Sequence, residues 1–337
     1  MGNQPLLTIA IPTYNRSTFL AETLQQLQLE MVRCSPCNIE IIVSDNASND
    51  DTTLIVNAFN ESGFLIKYVL NSENIGSDRN IAQCFNLATG QYVLILGDDD
   101  LFVDGALDIL VKELEIKRNG VACMRPYGFD HNFRVEYPGD VGSNRTYKKA
   151  GDFLITIGPL VTLISSCVIN KGLLIGVDAN DYCGENLVQV HLVFQAAIKA
   201  EQNVFISRYM IGCKRNNSGG YNFSKVFVEN LGNIFDQYVG ESFTRKNVSA
   251  IESRLIKSYF PFYLLKQRLN NQGDWQSTFE QFNKRYHGRF VFYIWLFPIF
   301  KLPRLLGVLW AGLATVIGRL INDDWLRGLK FAINKII

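Results

Sequence analysis

The feature that most limits how this 337-residue chain can fold is a regular alternation, over its first 120 residues, of short apolar runs with longer amphipathic stretches. Residues 6–11 form an apolar run with β-branched members, of a length that suits a buried strand rather than a helix. After a Pro12-Thr13-Tyr14-Asn15 turn, Leu20, Leu24, Leu27 and Met31 recur at helical spacing, with Ser17 as the expected N-cap. Residues 39–44 and 65–70 read as further strands. Ile81, Cys84, Phe85 and Ala88 then mark one helix face, Gly90 stops that helix, and residues 92–96 are a fourth strand. Leu107, Leu110, Val111 and Leu114 give the next helix. Strand and helix alternating at this spacing predict an α/β fold with a mainly parallel sheet flanked by helices.

Beyond residue 121 the alternation degrades. Residues 126–151 read as irregular structure or edge hairpins, 160–169 as a strand, 186–200 as a helix and 203–208 as a strand. From about residue 224 the pattern is helical to the end. The expected organisation is one α/β domain in two halves, 1–120 and 121–223, followed by a helical region, 224–337. A hydrophobic fraction of 47% supplies a sizeable core, and a net charge of +1 argues against a nucleic-acid binder. The seven cysteines are irregularly spaced and form no disulfide framework; Cys34 and Cys37 lack the second pair a zinc site needs. No basic segment followed by an apolar one opens the chain, so the expected compartment is the cytosol.

Ligands of open α/β sheets gather beyond the carboxyl ends of the strands. Those ends carry Pro12-Thr13-Tyr14-Asn15-Arg16; Asp45-Asn46 with Ser48, Asn49 and Asp50; Asn71, Asn74, Gly76 and Asp78-Arg79-Asn80; and Gly97-Asp98-Asp99-Asp100. Three adjacent carboxylates at a strand end repel one another. A divalent cation, Mg²⁺ or Mn²⁺, is their usual compensation, its other positions being open to phosphate oxygens. Neither a G-x-G-x-x-G fingerprint nor a G-x-x-x-x-G-K-[ST] loop is present, so phosphate must be held by metal and by basic side chains such as Arg79 or Lys214-Arg215.

Residues 9–16 (IAIPTYNR), 43–48 (VSDNAS), the Asn74-x-Gly76-x-x-Arg79-Asn80 stretch and 96–100 (LGDDD) resemble, in order and spacing, the successive signatures of family 2 glycosyltransferases. Within that family the chain is similar to the abequosyltransferase-like enzymes of O-antigen assembly. The resemblance implies a GT-A fold, a nucleotide-sugar donor (UDP, CDP, GDP or dTDP) and Mn²⁺ or Mg²⁺. It further implies a nucleoside site at Pro12, Thr13, Tyr14 and Asp45, with Asp98, Asp99 and Asp100 on ribose and metal-diphosphate. Read from the residues, Tyr14 can lie flat against a base or simply pack. Asp45 can accept an N–H or cap a helix, and Arg79-Asn80 can start one.

The family's acidic pair at the start of the acceptor-side helix is not evident in residues 180–191. Glu185 is the first choice for the general base, Asp181 the second and His191 the third, with a core histidine as the plainer reading of His191. Residues 213–221 resemble a flexible loop closing over the donor diphosphate. Arg215 would clamp phosphate and Gly219-Gly220 would hinge, against a plain surface loop.

Residues 284–337 hold nine Lys/Arg against two Asp/Glu. The apolar runs 290–300 and 305–318, broken by Lys301, Pro303 and Arg304, are each short of the roughly 20 residues a spanning helix needs. Interfacial helices on the cytoplasmic face of the inner membrane are expected, with Trp295, Trp310 and Trp325 at headgroup depth and an acceptor glycan on polyprenyl diphosphate; a helical subdomain covering its own core is the alternative. Two other functions stay open. A sugar-nucleotide nucleotidyltransferase would want a Gly-rich basic first loop, and a non-catalytic scaffold of a glycan assembly complex would release no nucleotide.

Overall fold

The first apolar run becomes the central strand, β1 (Leu7–Thr13), in the computed structural model, which describes residues 4–34, 37–116, 118–139, 142–215, 220–270 and 274–321. Leu7, Ile9, Ala10 and Ile11 are fully buried, as expected of a parallel strand covered on both faces. The chain forms two compact units, Met1–Gly220 and Tyr221–Ile337.

In the first unit β1 is followed by α1 (Ser17–Arg33), β2 (Ile39–Asp45), α2 (Thr52–Glu61), β3 (Lys67–Leu70), α3 (Ser77–Leu87), β4 (Tyr92–Ile95), β5 (Asp100–Phe102) and α4 (Ala106–Ile116). Then come β6 (Val121–Phe129), β7 (Arg145–Tyr147), α5 (Ala150–Ile157), β8 (Cys167–Asn170), α6 (Val188–Lys199) and β9 (Asn203–Lys214). The strands lie in the order β3-β2-β1-β4-β8-β6-β9-β5, with β7 on β9. The β3-β2-β1-β4 half is parallel throughout. The remainder is mixed: β8 runs antiparallel to β4 and β6, β6 is parallel to β9, and β5 is antiparallel to β9. Gly90, expected only to stop α3, lies against β1 so closely that a Cβ would stand 2.7 Å from Thr8 N.

Four local expectations are corrected. Ser17 is the first residue of α1 and not its cap; Arg16 holds the N-cap position, and Asp50 Oδ2 accepts the Ser17 N–H at 2.8 Å. The expected strand at 160–169 begins only at Cys167, because Gly158 at φ 46° and the donor-less Pro159 start two short 3₁₀ turns, Gly158–Thr162 and Ile164–Ser166. Residues 126–129 continue β6, where register shifts around Arg125 absorb Pro126. β9 runs on to Lys214 across a polar Ser207-Arg208 step that reads as a strand end.

The second unit is helical: two π-helical turns, Lys225–Asn230 and Leu255–Tyr259, with α7 (Leu231–Gln237), α8 (Arg245–Arg254), α9 (Phe260–Asn270), α10 (Trp275–Tyr286), α11 (Phe290–Trp295), α12 (Phe297–Lys301) and α13 (Arg304–Ile321). Buried Glu252 on α8 accepts from Arg285 Nε at 2.8 Å and also pairs with Arg289. Arg285 reaches on to Asp236 at 2.6 Å, so one ionic chain ties α7, α8 and α10 together.

Helix α13 is built inside out. Its buried positions are small: Gly307, Ala311, Ala314, Thr315 and Gly318. Its large apolar side chains, Leu305, Leu306, Leu309, Leu313, Val316 and Leu320, are each at least half exposed. A Cβ on Gly318 would stand 2.2 Å from Lys257 O, so the small face is what lets the helices meet. Trp295 and Trp310 do not both point outward as expected: each is half-buried, and Trp310 Nε1 donates to Trp295 O at 3.3 Å. Trp325 lies outside the described residues.

Candidate active site

Because β1, β2, β3 and β4 are parallel, the segments that follow them open on one rim, and hydrogen bonds lock those segments to one another. Thr13 Oγ1 donates to Asp98 Oδ2 at 2.9 Å. Arg16 bridges the acidic turn, Nη1 to Asp98 Oδ1 and Nη2 to Asp99 Oδ2, both at 2.9 Å. Thr23 of α1 donates to the Asp98 carbonyl at 2.8 Å. Asn15, held at φ 52°, donates its N–H to Ser48 Oγ and accepts the Asn49 N–H, joining the first loop to the second. Asn46 donates to Asn74 at 2.7 Å and accepts the Ile75 N–H, joining the second to the third.

Asp45, fully buried, accepts from the Tyr68 hydroxyl at 2.6 Å and from the Ser48 N–H at 2.9 Å. It closes a loop turn and caps no helix. The next residue but one, Ala47, sits at φ 64°, a strained conformation for a residue with a Cβ. Tyr14 is 41% exposed, so the plainer reading of it as a packed core tyrosine does not hold. Pro12 is half-buried at the end of β1, in register with Ser44. Arg79 is exposed in the first turn of α3 at the same rim.

The three aspartates feel one another's charge but have different partners. Asp98 is 4% exposed; burial pushes its carboxyl up to about 6, with Arg16 opposing and Asp99 adding. Asp100, the first residue of β5, is turned inward, where it accepts a short hydrogen bond from Ser165. Burial, reinforced by the Asp99 charge, pushes Asp100 up to about 7. The Asp100 N–H bonds the Gly97 carbonyl at 3.1 Å, and this turn is what splits the triplet. Asp100 thus has its carboxylate on Ser165, whereas Asp98 and Asp99 share Arg16.

Among the described residues no three His, Cys, Asp or Glu side chains converge as a ready metal cage. Mg²⁺ and Mn²⁺ sites do not need one, since one or two carboxylates with phosphate oxygens and water suffice. Asp98 and Asp99, both already turned to a single guanidinium, fit that requirement.

On the acceptor side, Glu185 lies in the segment before α6. Asp78, in the first turn of α3, accepts the Gly184 and Asn186 N–H groups through Oδ2 at 2.6 and 2.9 Å, so it holds Glu185 from both sides at the rim where α3 begins. Glu185 Oε2 is 3.3 Å from His191 Nε2. His191 is only 4% exposed and stacks on Tyr182 with ring centroids 4.7 Å apart. Burial lowers its pKa, with Glu185 pulling the other way, which is the behaviour of a core histidine. Asp181 is exposed in a separate 3₁₀ turn, Ala179–Tyr182.

Arg215 is committed elsewhere: Nη1 lies 2.9 Å from Asp130 and 3.3 Å from Glu136, and Glu136 also gathers the N–H groups of Asp130, His131 and Asn132. Arg215, expected to clamp phosphate, is ion-paired to that turn in this structure. Cys213 and Lys214 belong to β9 rather than to a loop. Gly219 lies outside the described residues; Gly220 is exposed.

Arg16 and Asp78 were placed on the rim by the sequence but given no role there. Ser165 carries no signal at all.

A sheet parallel in one half and mixed in the other, with a polar rim at the parallel strand ends and an acidic turn after β4, defines a GT-A-type transferase fold. A model described as Glycosyl transferase family 2 matches residues 8–175, and the chain belongs to that family: it is a glycosyltransferase. Abequosyltransferase RfbV of Salmonella typhimurium is 26% identical over 282 residues, 78% of this chain and 81% of its own length. GalNAc(5)-diNAcBac-PP-undecaprenol β-1,3-glucosyltransferase of Campylobacter jejuni is 34% identical over 110 residues, 32% of this chain and 34% of its own.

Among solved structures, S. aureus TarS 1-349 in complex with UDP-GlcNAc is similar with a TM-score of 0.62 at 15% identity, covering 98% of this chain and 91% of that one. The mannosyltransferase PcManGT from Pyrobaculum calidifontis, in complex with GDP-Man and Mn²⁺, is similar with a TM-score of 0.52 at 16% identity, covering 93% and 88%.

Proposed function

We propose that the protein moves a glycosyl unit from a nucleoside-diphosphate sugar to a hydroxyl of a glycan carried on polyprenyl diphosphate, in assembly of a bacterial O-antigen or related surface polysaccharide. The observation that carries this reading is the hydrogen-bonded convergence of the first, second and fourth strand-end segments around the Asp98-Asp99 turn. Pro12, Thr13, Tyr14 and Asp45 form the nucleoside end, with Tyr14 exposed enough to stack on a base. Asp98 and Asp99 would hold Mn²⁺ or Mg²⁺, which when bound offsets charge developing on the departing diphosphate. Arg79 is the exposed cation for a phosphate oxygen. Glu185 takes the proton from the acceptor hydroxyl, whose oxygen forms the new bond as the sugar's bond to the diphosphate breaks.

Relatives whose names specify abequosyl transfer and a diphospho-undecaprenol acceptor favour this substrate class. So does α13. Among the described residues no helix is long and apolar enough to cross a membrane. A helix with its small residues inside and a leucine stripe outside suits the plane of a bilayer, and Lys301 and Arg304 are exposed beside it for anionic headgroups.

Two measurements test these parts separately. Tyr14→Ala should weaken binding of the preferred nucleoside diphosphate by roughly tenfold, since a base–aromatic stack is worth about 1–3 kcal/mol; unchanged affinity removes Tyr14 from the nucleoside site. Wild type should float with anionic vesicles and Leu309→Glu/Leu313→Glu should not. Equal flotation, or none by either protein, ends the membrane reading.

A further inference from the structure

Arg16 breaks a local rule. It occupies the N-cap position of α1 at φ −139° and ψ 38° and makes no side-chain cap bond. A cation at a helix N-terminus opposes the helix dipole, and Ser, Thr, Asp or Asn would stabilise that position. The cap comes instead from Asp50, in a different loop. Places where a natural chain breaks a local rule are expected to be functional or strained.

What Arg16 does is span the acidic turn. Its two terminal nitrogens take one oxygen each of Asp98 and Asp99 at 2.9 Å, and its guanidinium carbon lies 5.2 Å from the Phe19 ring centroid. The Asn15 bonds to Ser48 and Asn49 fix the loop that carries it, so the cation is preorganised. Asp98, at 4% exposure, would otherwise be a buried carboxylate beside a like charge.

We propose that Arg16 is a resident counter-cation that competes with the divalent ion for Asp98 and Asp99, and that the donor diphosphate draws it away, so that metal and donor bind together. The proposal rests on the reading of this turn as a metal-diphosphate site. An oxygen bonded to a guanidinium cannot also coordinate an ion at about 2.1 Å along the same direction. A diphosphate offers the guanidinium an equivalent bidentate partner. Metal alone therefore binds weakly and metal with diphosphate binds well. Loss of Arg16 acts with opposite sign on the two, which a merely structural arginine would not produce.

The test is Mn²⁺ titration of the full chain followed by electron paramagnetic resonance of the free ion, near neutral pH, with and without inorganic pyrophosphate. Wild type is compared with Arg16→Ala and Arg16→Gln; the glutamine keeps hydrogen-bond donors without the charge and carries the test if the alanine variant does not fold. An adjacent cation changes a carboxylate's affinity for positive charge by about one to three powers of ten, so both folded variants should bind Mn²⁺ alone about tenfold tighter or more. Pyrophosphate should raise Mn²⁺ affinity strongly in wild type and much less in the variants. Variants that bind Mn²⁺ alone no tighter than wild type overturn the proposal and leave the metal site standing, provided wild type binds Mn²⁺ with pyrophosphate. If wild type binds no Mn²⁺ even then, the metal reading itself fails and takes the proposal with it.

Discussion

At the scale of single residues, the site separates carboxylates that one motif runs together. Asp98 and Asp99 face the rim through Arg16, whereas Asp100 faces Ser165 inside the sheet. Asp99→Asn should cut sugar transfer by at least about a hundredfold, the usual scale for losing one preorganised electrostatic contact to a departing group. Asp100→Asn, which keeps an acceptor for Ser165, should retain most activity; equal losses in the two variants, measured by product release, would show that the triplet works as a unit. Glu185→Gln should lower kcat by roughly 10²–10⁴-fold while donor affinity is kept. Loss of donor affinity with little change in kcat would return Glu185 to a structural role. The rim residues were legible because each follows an apolar run long enough to be a strand. The Arg16 bridge was not, because it joins residues more than 80 positions apart and no local pattern encodes it. The ion pairs of Arg215 were not legible for the same reason, since its partners Asp130 and Glu136 lie in a stretch with no periodicity.

At the scale of elements, packing overrides propensity in both units. Ala is ordinarily favoured over Gly within a helix by about 1 kcal/mol. Gly318 should reverse that order, because a Cβ would meet Lys257 O at 2.2 Å. Gly318→Ala should therefore lower the melting temperature of the protein; an unchanged or raised value would mean that α13 does not pack as described. β1, α1, β2, β3, α3 and β4 were legible from periodicity alone; α2, in which only Thr52 and Val56 are buried, was not assigned. β5 was not, since it has three residues and starts on an aspartate, and β6 was not, since Pro126 and Gly128 are accommodated only through its bulged pairing with β9. The break at Pro303 was legible as chain chemistry; the one between α11 and α12, inside the expected 290–300 run, was not, and the burial of Gly307 and Gly318 in place of the leucines depends on what α13 packs against.

At the scale of the molecule, each unit is held by its own means: the first by a continuous sheet, the second by aromatic packing and the Glu252–Arg285–Asp236 chain. Burial alone would raise the Asp236 carboxyl, but hydrogen bonding and charge from Arg285 and Arg245 outweigh it and hold it below the ordinary value. A carboxyl depressed in the fold stabilises it above the unfolded pKa of about 3.9, and that contribution is lost as the pH falls further. Asp236→Asn should thus lower the melting temperature at neutral pH, and the difference from wild type should shrink as the pH drops below about 4. A difference that does not change with pH would assign Asp236 to packing alone.

The central claim, sugar transfer from a nucleotide donor at the Asp98-Asp99 rim, is tested most directly by a panel of UDP-, GDP-, CDP- and dTDP-sugars. The full-length protein is incubated with each, with Mn²⁺ or EDTA, and the released nucleotide is identified. Release of one nucleoside diphosphate, dependent on Mn²⁺ and lost in Asp99→Asn, is the predicted result. Pyrophosphate as the product, or no release with any donor when a polyprenyl-linked glycan is supplied, would contradict it.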